Sequence, residues 1–102
     1  MPHTAQVHLE NVPGFFGEAR CFRLDPPRPL AGAEREFVTV VVAPAVGQHA
    51  PSVRVYPARE DGGCAARQLA AQVGSFTPEE PVDLQGCYAL ALMMLGVTEV
   101  AA

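Results

Sequence analysis

Hydrophobic and polar positions alternate with a period of two through much of the first half of the chain, and a helical period appears only after Tyr56. From Ala5 to Asn11, Val7 and Leu9 fall on one side and Gln6, His8 and Glu10 on the other, which is the pattern of a half-buried strand. Val12, Pro13 and Gly14 break it, because proline lacks a ladder donor and glycine accepts a positive φ, so a turn is expected there. A second strand is predicted from Gly17 to Leu24, antiparallel to the first because the connection is too short for a crossover. Asp25-Pro26-Pro27-Arg28-Pro29 is expected to end that strand, with Leu30 to Arg35 as a loop. Glu36 to Ala43 (Glu-Phe-Val-Thr-Val-Val-Val-Ala) carries the strongest β signal, and its apolar residues on both faces predict a central strand covered on both sides. After a long turn from Pro44 to Pro51, Ser52 to Pro57 resumes alternation with Val53 and Val55 against Arg54 and Tyr56. No helical pattern separates these four runs, so an antiparallel meander is favoured over a βαβ unit.

Beyond Tyr56 the period changes. Asp61, Gly62 and Gly63 predict a turn, and the Ala-rich run Cys64 to Val73, with Leu69 and Val73 at i, i+4 spacing, predicts a short helix ending before Gly74. Thr77-Pro78-Glu79-Glu80 has the form of a capping box, but Pro81 restricts it to one turn. The better start is Asp83 as N-cap, with a helix from Leu84 to Leu95 and Gly96 just past its end. Leu84, Cys87, Tyr88, Ala91, Leu92 and Leu95 form one stripe, yet Leu90, Met93 and Met94 leave little polar surface elsewhere. A helix apolar all round needs cover on more than one side, either from within the subunit or from a partner. The expected fold is therefore a single α+β domain over 1–102, an antiparallel sheet of about four strands with one or two C-terminal helices packed on one face.

Composition narrows the function classes. With 49% hydrophobic and 18% charged residues over 102 positions, the chain has the material for one core and too little charge for intrinsic disorder. Seven basic residues, all Arg, against eleven acidic ones give a net charge of −4, so the chain offers no overall basic surface and nucleic-acid binding is not expected. Arg20, Arg23, Arg28 and Arg35 are interleaved with Glu18, Asp25, Glu34 and Glu36 and read as a mixed-charge face. The absence of Lys, Ile and Trp is read as the mark of a GC-rich genome. Met1 to Glu10 has neither a basic n-region nor an apolar h-region, and no run reaches the length of a membrane span, so a cytoplasmic protein with no membrane partner is expected.

Candidate chemistry is sparse. Cys21, Cys64 and Cys87 are an odd, widely spaced set, which argues against a disulfide framework or a zinc knuckle; Cys64, after Gly62-Gly63, is the one expected to be exposed. His3, His8 and His49 form no metal-binding spacing and read as surface residues, and neither a metal site nor a cofactor is expected. No nucleotide-binding, nucleophile-elbow or zinc-protease motif occurs. Glu34 and Glu36, or Glu79 and Glu80, read as solvated charges, so no catalytic residue is assigned and an enzyme is disfavoured. Phe15 and Phe16, between Gly14 and Gly17, are either a lid folded back on the core or a partner-docking tip.

Val12-Pro13-Gly14-Phe15-Phe16-Gly17-Glu18-Ala19-Arg20, then Phe22-Arg23-Leu24-Asp25-Pro26-Pro27, a Val-rich strand, and Val55-Tyr56-Pro57-Ala58 before an acidic-Gly turn resemble a group of short uncharacterised proteins from actinobacteria and their phages. The resemblance spans roughly residues 4 to 96 and is carried mainly by residues 12 to 27. In that group the last motif is Phe-Pro-Ala and the C-terminal helix is more polar, so the apolar helix is particular to this chain. The resemblance implies no activity and no catalytic residue. Two function classes follow. The first is a non-catalytic accessory module, phage-encoded or host, that binds another protein or forms a two-fold homodimer, with Phe15, Phe16, Leu90, Met93 and Met94 as partner-binding residues. The alternative is a small-molecule binder or minor enzyme with a pocket between the Phe15-Phe16 turn, Tyr56 and the helices.

Overall fold

Among the described residues, six strands and one helix occur in the order β1 (His3–Glu10), β2 (Glu18–Leu30), β3 (Ala33–Ala43), β4 (Ser52–Ala58), β5 (Gly74–Phe76), α1 (Leu84–Met94) and β6 (Val97–Glu99). The computed structural model describes residues 3–15, 17–30, 33–43, 52–64, 74–76 and 84–99. The strands form one sheet in the order β5-β4-β3-β2-β1-β6. The four runs expected as strands pair antiparallel in sequence order, as a meander. Two short edge strands enlarge it: β5 lies antiparallel to β4, and β6, which follows the helix, lies parallel to β1. The fold class is α+β, but the sheet is mixed and six-stranded rather than antiparallel and four-stranded. Three-residue strands such as Val97-Thr98-Glu99 are too short for an alternation signal to register.

β3 sits inside the sheet between β2 and β4, and its alternation feeds two separate cores. Val38 and Val40 join Ala5, Phe22, Leu24, Val53 and Val55 beneath α1, which contributes Cys87, Tyr88, Ala91, Leu92 and Leu95. On the opposite face, Val41 joins Val12, Ala19, Cys21 and Ala58, with Phe15, Phe37 and Tyr56 half-buried against them. The two-faced apolar run at Glu36 to Ala43 thus marks a strand covered on both sides, as its pattern predicts. α1 ends as expected at Gly96, whose φ of +75° only glycine adopts readily and whose N–H donates to the Met93 carbonyl at 2.9 Å.

Four expectations are corrected. The proline run does not end β2: pairing with β3 lapses after Arg23, resumes at Arg28 opposite Arg35, and continues to Leu30 opposite Ala33. Proline's fixed φ is compatible with an extended chain, and only its donor is lost, so the strand survives where the ladder lapses. The described part of the segment read as a loop, Leu30 and Ala33 to Arg35, is consequently strand at the end of a two-stranded ribbon. It projects past β1, whose pairing stops at Thr4 opposite Asp25, and past β4, whose pairing stops at Ala58 opposite Phe37. In β1 a bulge lies between Val7 and Leu9, so that Leu9 pairs with Cys21 and shares its face, opposite to Val7. Cys64 bridges to Ala58 instead of starting a helix. The remainder of that expected helix, 65–73, the capping-box segment 77–80 and the N-cap Asp83 lie outside the described residues, as does Phe16.

Candidate functional site

Two surfaces collect the residues marked by sequence, and they lie on opposite faces of the sheet. On one, α1 packs on β3 and β4 and beside β6, burying the stripe from Cys87 to Leu95. The helix has no acidic residue in its first turn, no basic residue in its last, and no charge between. A rotation of about 100° per residue sends Met93 directly away from the sheet, with Leu90 and Met94 on one flank and Ala89 near the crest. Met93 and Met94 are 64% and 53% exposed, and Leu90 is half-buried. Among the described residues the only other exposed large hydrophobic is Leu9, at 37%.

The other flank of α1 is fixed to the sheet by Arg20. On β2, Arg20 falls in the same inward register as Phe22 and Leu24, and the bulge in β1 places Glu10 opposite it. Its guanidinium lies 4.4 Å from the centre of the Tyr88 ring, donates to Gln85 Oε1 at 3.0 Å and pairs with Glu10 Oε1 at 3.0 Å. The Phe22 ring meets the edge of Tyr88 at 6.0 Å. Burial pushes the Tyr88 phenol above its ordinary pKa, and the Arg20 charge opposes that rise. Arg20 therefore clamps the start of α1 to β2. The mixed-charge reading of the Arg residues missed this role; the available signal was the even spacing Arg20-Phe22-Leu24.

On the opposite face, Phe15 folds back with its ring 5.4 Å from that of Tyr56 and sits half-buried over the second core. The turn after β4 closes beside it. Arg59 N–H donates to the Gly63 carbonyl at 2.8 Å, Gly62 N–H to the Arg59 carbonyl at 2.9 Å, and Gly63 N–H to Asp61 Oδ1 at 2.8 Å. Gly62 is buried with φ +85°, and its carbonyl accepts a 2.7 Å hydrogen bond from the buried Thr39 hydroxyl. His8, which alternates with Val7 onto this face, holds its ring 4.7 Å from that of Phe37 and bonds through Nε2 to the Glu60 carbonyl at 2.9 Å. Burial raises the Cys21 thiol pKa, opposed by a hydrogen bond with Thr39. These contacts are a fastening, in which a polar turn is pinned over an apolar face by one buried hydroxyl and one ring.

Because Phe15 and Tyr56 lie on one face and α1 on the other, α1 lines no cleft with them. Among the described residues no group of three or more His, Cys, Asp or Glu side chains comes together, and no helix is long and apolar enough to cross a membrane. Cys21 and Cys87 are buried and Cys64 is half-buried. Comparison with family models, with curated proteins and with solved structures returns no match.

Proposed function

We propose that this protein is a non-catalytic accessory module that acts by binding protein, through the outer face of α1. The observation that carries the reading is the exposure of Met93 and Met94 side by side on a helix without a charged residue. Methionine is flexible and polarizable and adapts to a partner's contours, which suits it to docking surfaces. Full-length protein and a Met93→Glu/Met94→Glu variant, used as baits under identical conditions, test it. Binding partners, a second copy included, are held by the native chain and lost by the variant. Equal capture by two folded baits refutes the reading.

A second reading, a small-molecule site beside Phe15 and Tyr56, is favoured by the half-buried pair of rings at the edge of the second core. Ligand-induced thermal shifts that vanish in Tyr56→Ala, with the α1 variant unaffected, would select it over the first.

A further inference from the structure

We infer that the occupant of the α1 face is a second copy of this chain, with the two α1 helices packed antiparallel about a two-fold axis. The inference rests on the protein-binding reading and names its partner. The first argument is electrostatic. The helix C-terminus carries the negative end of the backbone dipole, and α1 has no basic residue in its last turn to offset it. In an antiparallel pair each such end lies beside the positive N-terminal end of the other copy. A parallel pair would set like ends together. The helix itself brings no side-chain charge into such a contact.

The second argument is shape. Along the outer face the residues enlarge from Gly86 and Ala89 to Leu90, Met93 and Met94. Antiparallel packing centred between Ala89 and Leu90 sets Met93 of one helix over Gly86 of the other, and Leu90 over Ala89. Large side chains then meet small ones, and the axes approach to about 8 Å, the close end of helix packing. A parallel pair would stack methionine on methionine and leave a gap at the glycines. An 11-residue helix is about 16 Å long, so this contact is smaller than the ~800 Å² per partner of a standard interface. The dimer is accordingly weak and concentration-dependent, and it exposes its methionines again on dilution.

The test uses the whole chain carrying Cys64→Ser, which leaves only the buried Cys21 and Cys87 as natural thiols. Met93→Cys chains and Gly86→Cys chains are mixed, oxidised and resolved by mass. The mixed disulfide is expected to dominate over the Met93→Cys homodimer, because two Met93 positions lie seven residues, about 10 Å, apart along an antiparallel pair. Ala89→Cys, next to the axis, should cross-link to itself and serves where Gly86→Cys perturbs the helix. Sedimentation of the uncross-linked protein should show mass rising toward twice the monomer with concentration, and Met93→Glu should abolish the rise while leaving circular dichroism unchanged. A dominant Met93→Cys homodimer overturns the antiparallel arrangement. A monomer at every concentration, with no cross-link from Ala89→Cys, overturns the second copy as occupant. If the Met93→Glu/Met94→Glu bait nevertheless loses a foreign partner, the protein-binding reading stands without the dimer; if it loses nothing, both fall.

Discussion

Gly62→Ala separates the cost of backbone conformation from the cost of crowding, because Gly14 offers the same conformation in open space. Gly14 has φ +92° and a Cβ added there would meet nothing within 4 Å. Gly14→Ala should therefore cost only the left-handed penalty of an L-residue, about 1 to 2 kcal/mol. Gly62 has φ +85°, and its added Cβ would lie 2.9 Å from both γ-methyls of Val12 and 3.5 Å from Cys21 Cβ. Val12 is itself only 7% exposed, so its methyls have little room to retreat. Overpacking of this kind adds about 1 to 3 kcal/mol, giving a total of about 2 to 5 kcal/mol for Gly62→Ala. A displaced turn also withdraws the Gly62 carbonyl from Thr39, where the bond is 2.7 Å. Thr39→Val, nearly isosteric, removes the donor and leaves that carbonyl unpaired, at about 1 to 3 kcal/mol. Urea titration of the two glycine variants, Thr39→Val and the Gly62→Ala/Thr39→Val double variant supplies the cycle. The double variant should be less destabilised than the sum of its parts, because the turn can leave the hydroxyl only once. Each kcal/mol corresponds to about 4 to 8 °C in Tm for a domain of this size. Gly62→Ala no worse than Gly14→Ala, or strict additivity in the cycle, would refute the fastening.

The parts of the fold that were legible in sequence are those set by a repeated burial pattern. Phe37-Val38-Thr39-Val40-Val41 has apolar residues in both registers, and the strand feeds a core on each face. The stripe Cys87, Tyr88, Ala91, Leu92 and Leu95 is the buried side of α1, and Gly96 ends it. What escaped depends on single residues or distant partners. One extra residue at the β1 bulge reverses the side on which Leu9 lies, and no local pattern announces such an insertion. Prolines 26, 27 and 29 argue against ladder bonds, but they do not forbid an extended chain whose neighbours pair on either side. β6 exists because α1 delivers three residues alongside His3 to Ala5, a consequence of packing rather than of propensity. Of the candidate site, the exposed Met93 and Met94 were legible from the lack of polar residues around the helix, and the fold leaves them at its surface. The Arg20 clamp and the Thr39 hydroxyl were hidden, because their partners Tyr88 and Gly62 lie far along the chain.

Three further perturbations probe the packing on which these surfaces depend. Leu92→Ala, at a position with no exposure, should cost about 2 to 5 kcal/mol in urea unfolding, and a loss under 1 kcal/mol would mean that α1 is not seated on the sheet. Arg20→Lys keeps a charge for Glu10 but loses the planar group over Tyr88, so it should recover less than half of the roughly 1 to 2 kcal/mol lost in Arg20→Met; full recovery would show that charge alone matters. The pH dependence follows from burial of Cys21 and Tyr88, each of which holds its proton more tightly in the folded chain. Between the unfolded and folded pKa of each group the native state binds more protons, so stability falls as pH rises, starting near about pH 8.5 for the thiol and about pH 10 for the phenol. Below those values both groups are protonated in either state and contribute no slope. Cys21→Ala should remove the lower part of the decline and Tyr88→Phe the upper part, measured as urea midpoints across alkaline pH. A decline of unchanged slope in the double variant would place its origin elsewhere than in these two buried groups.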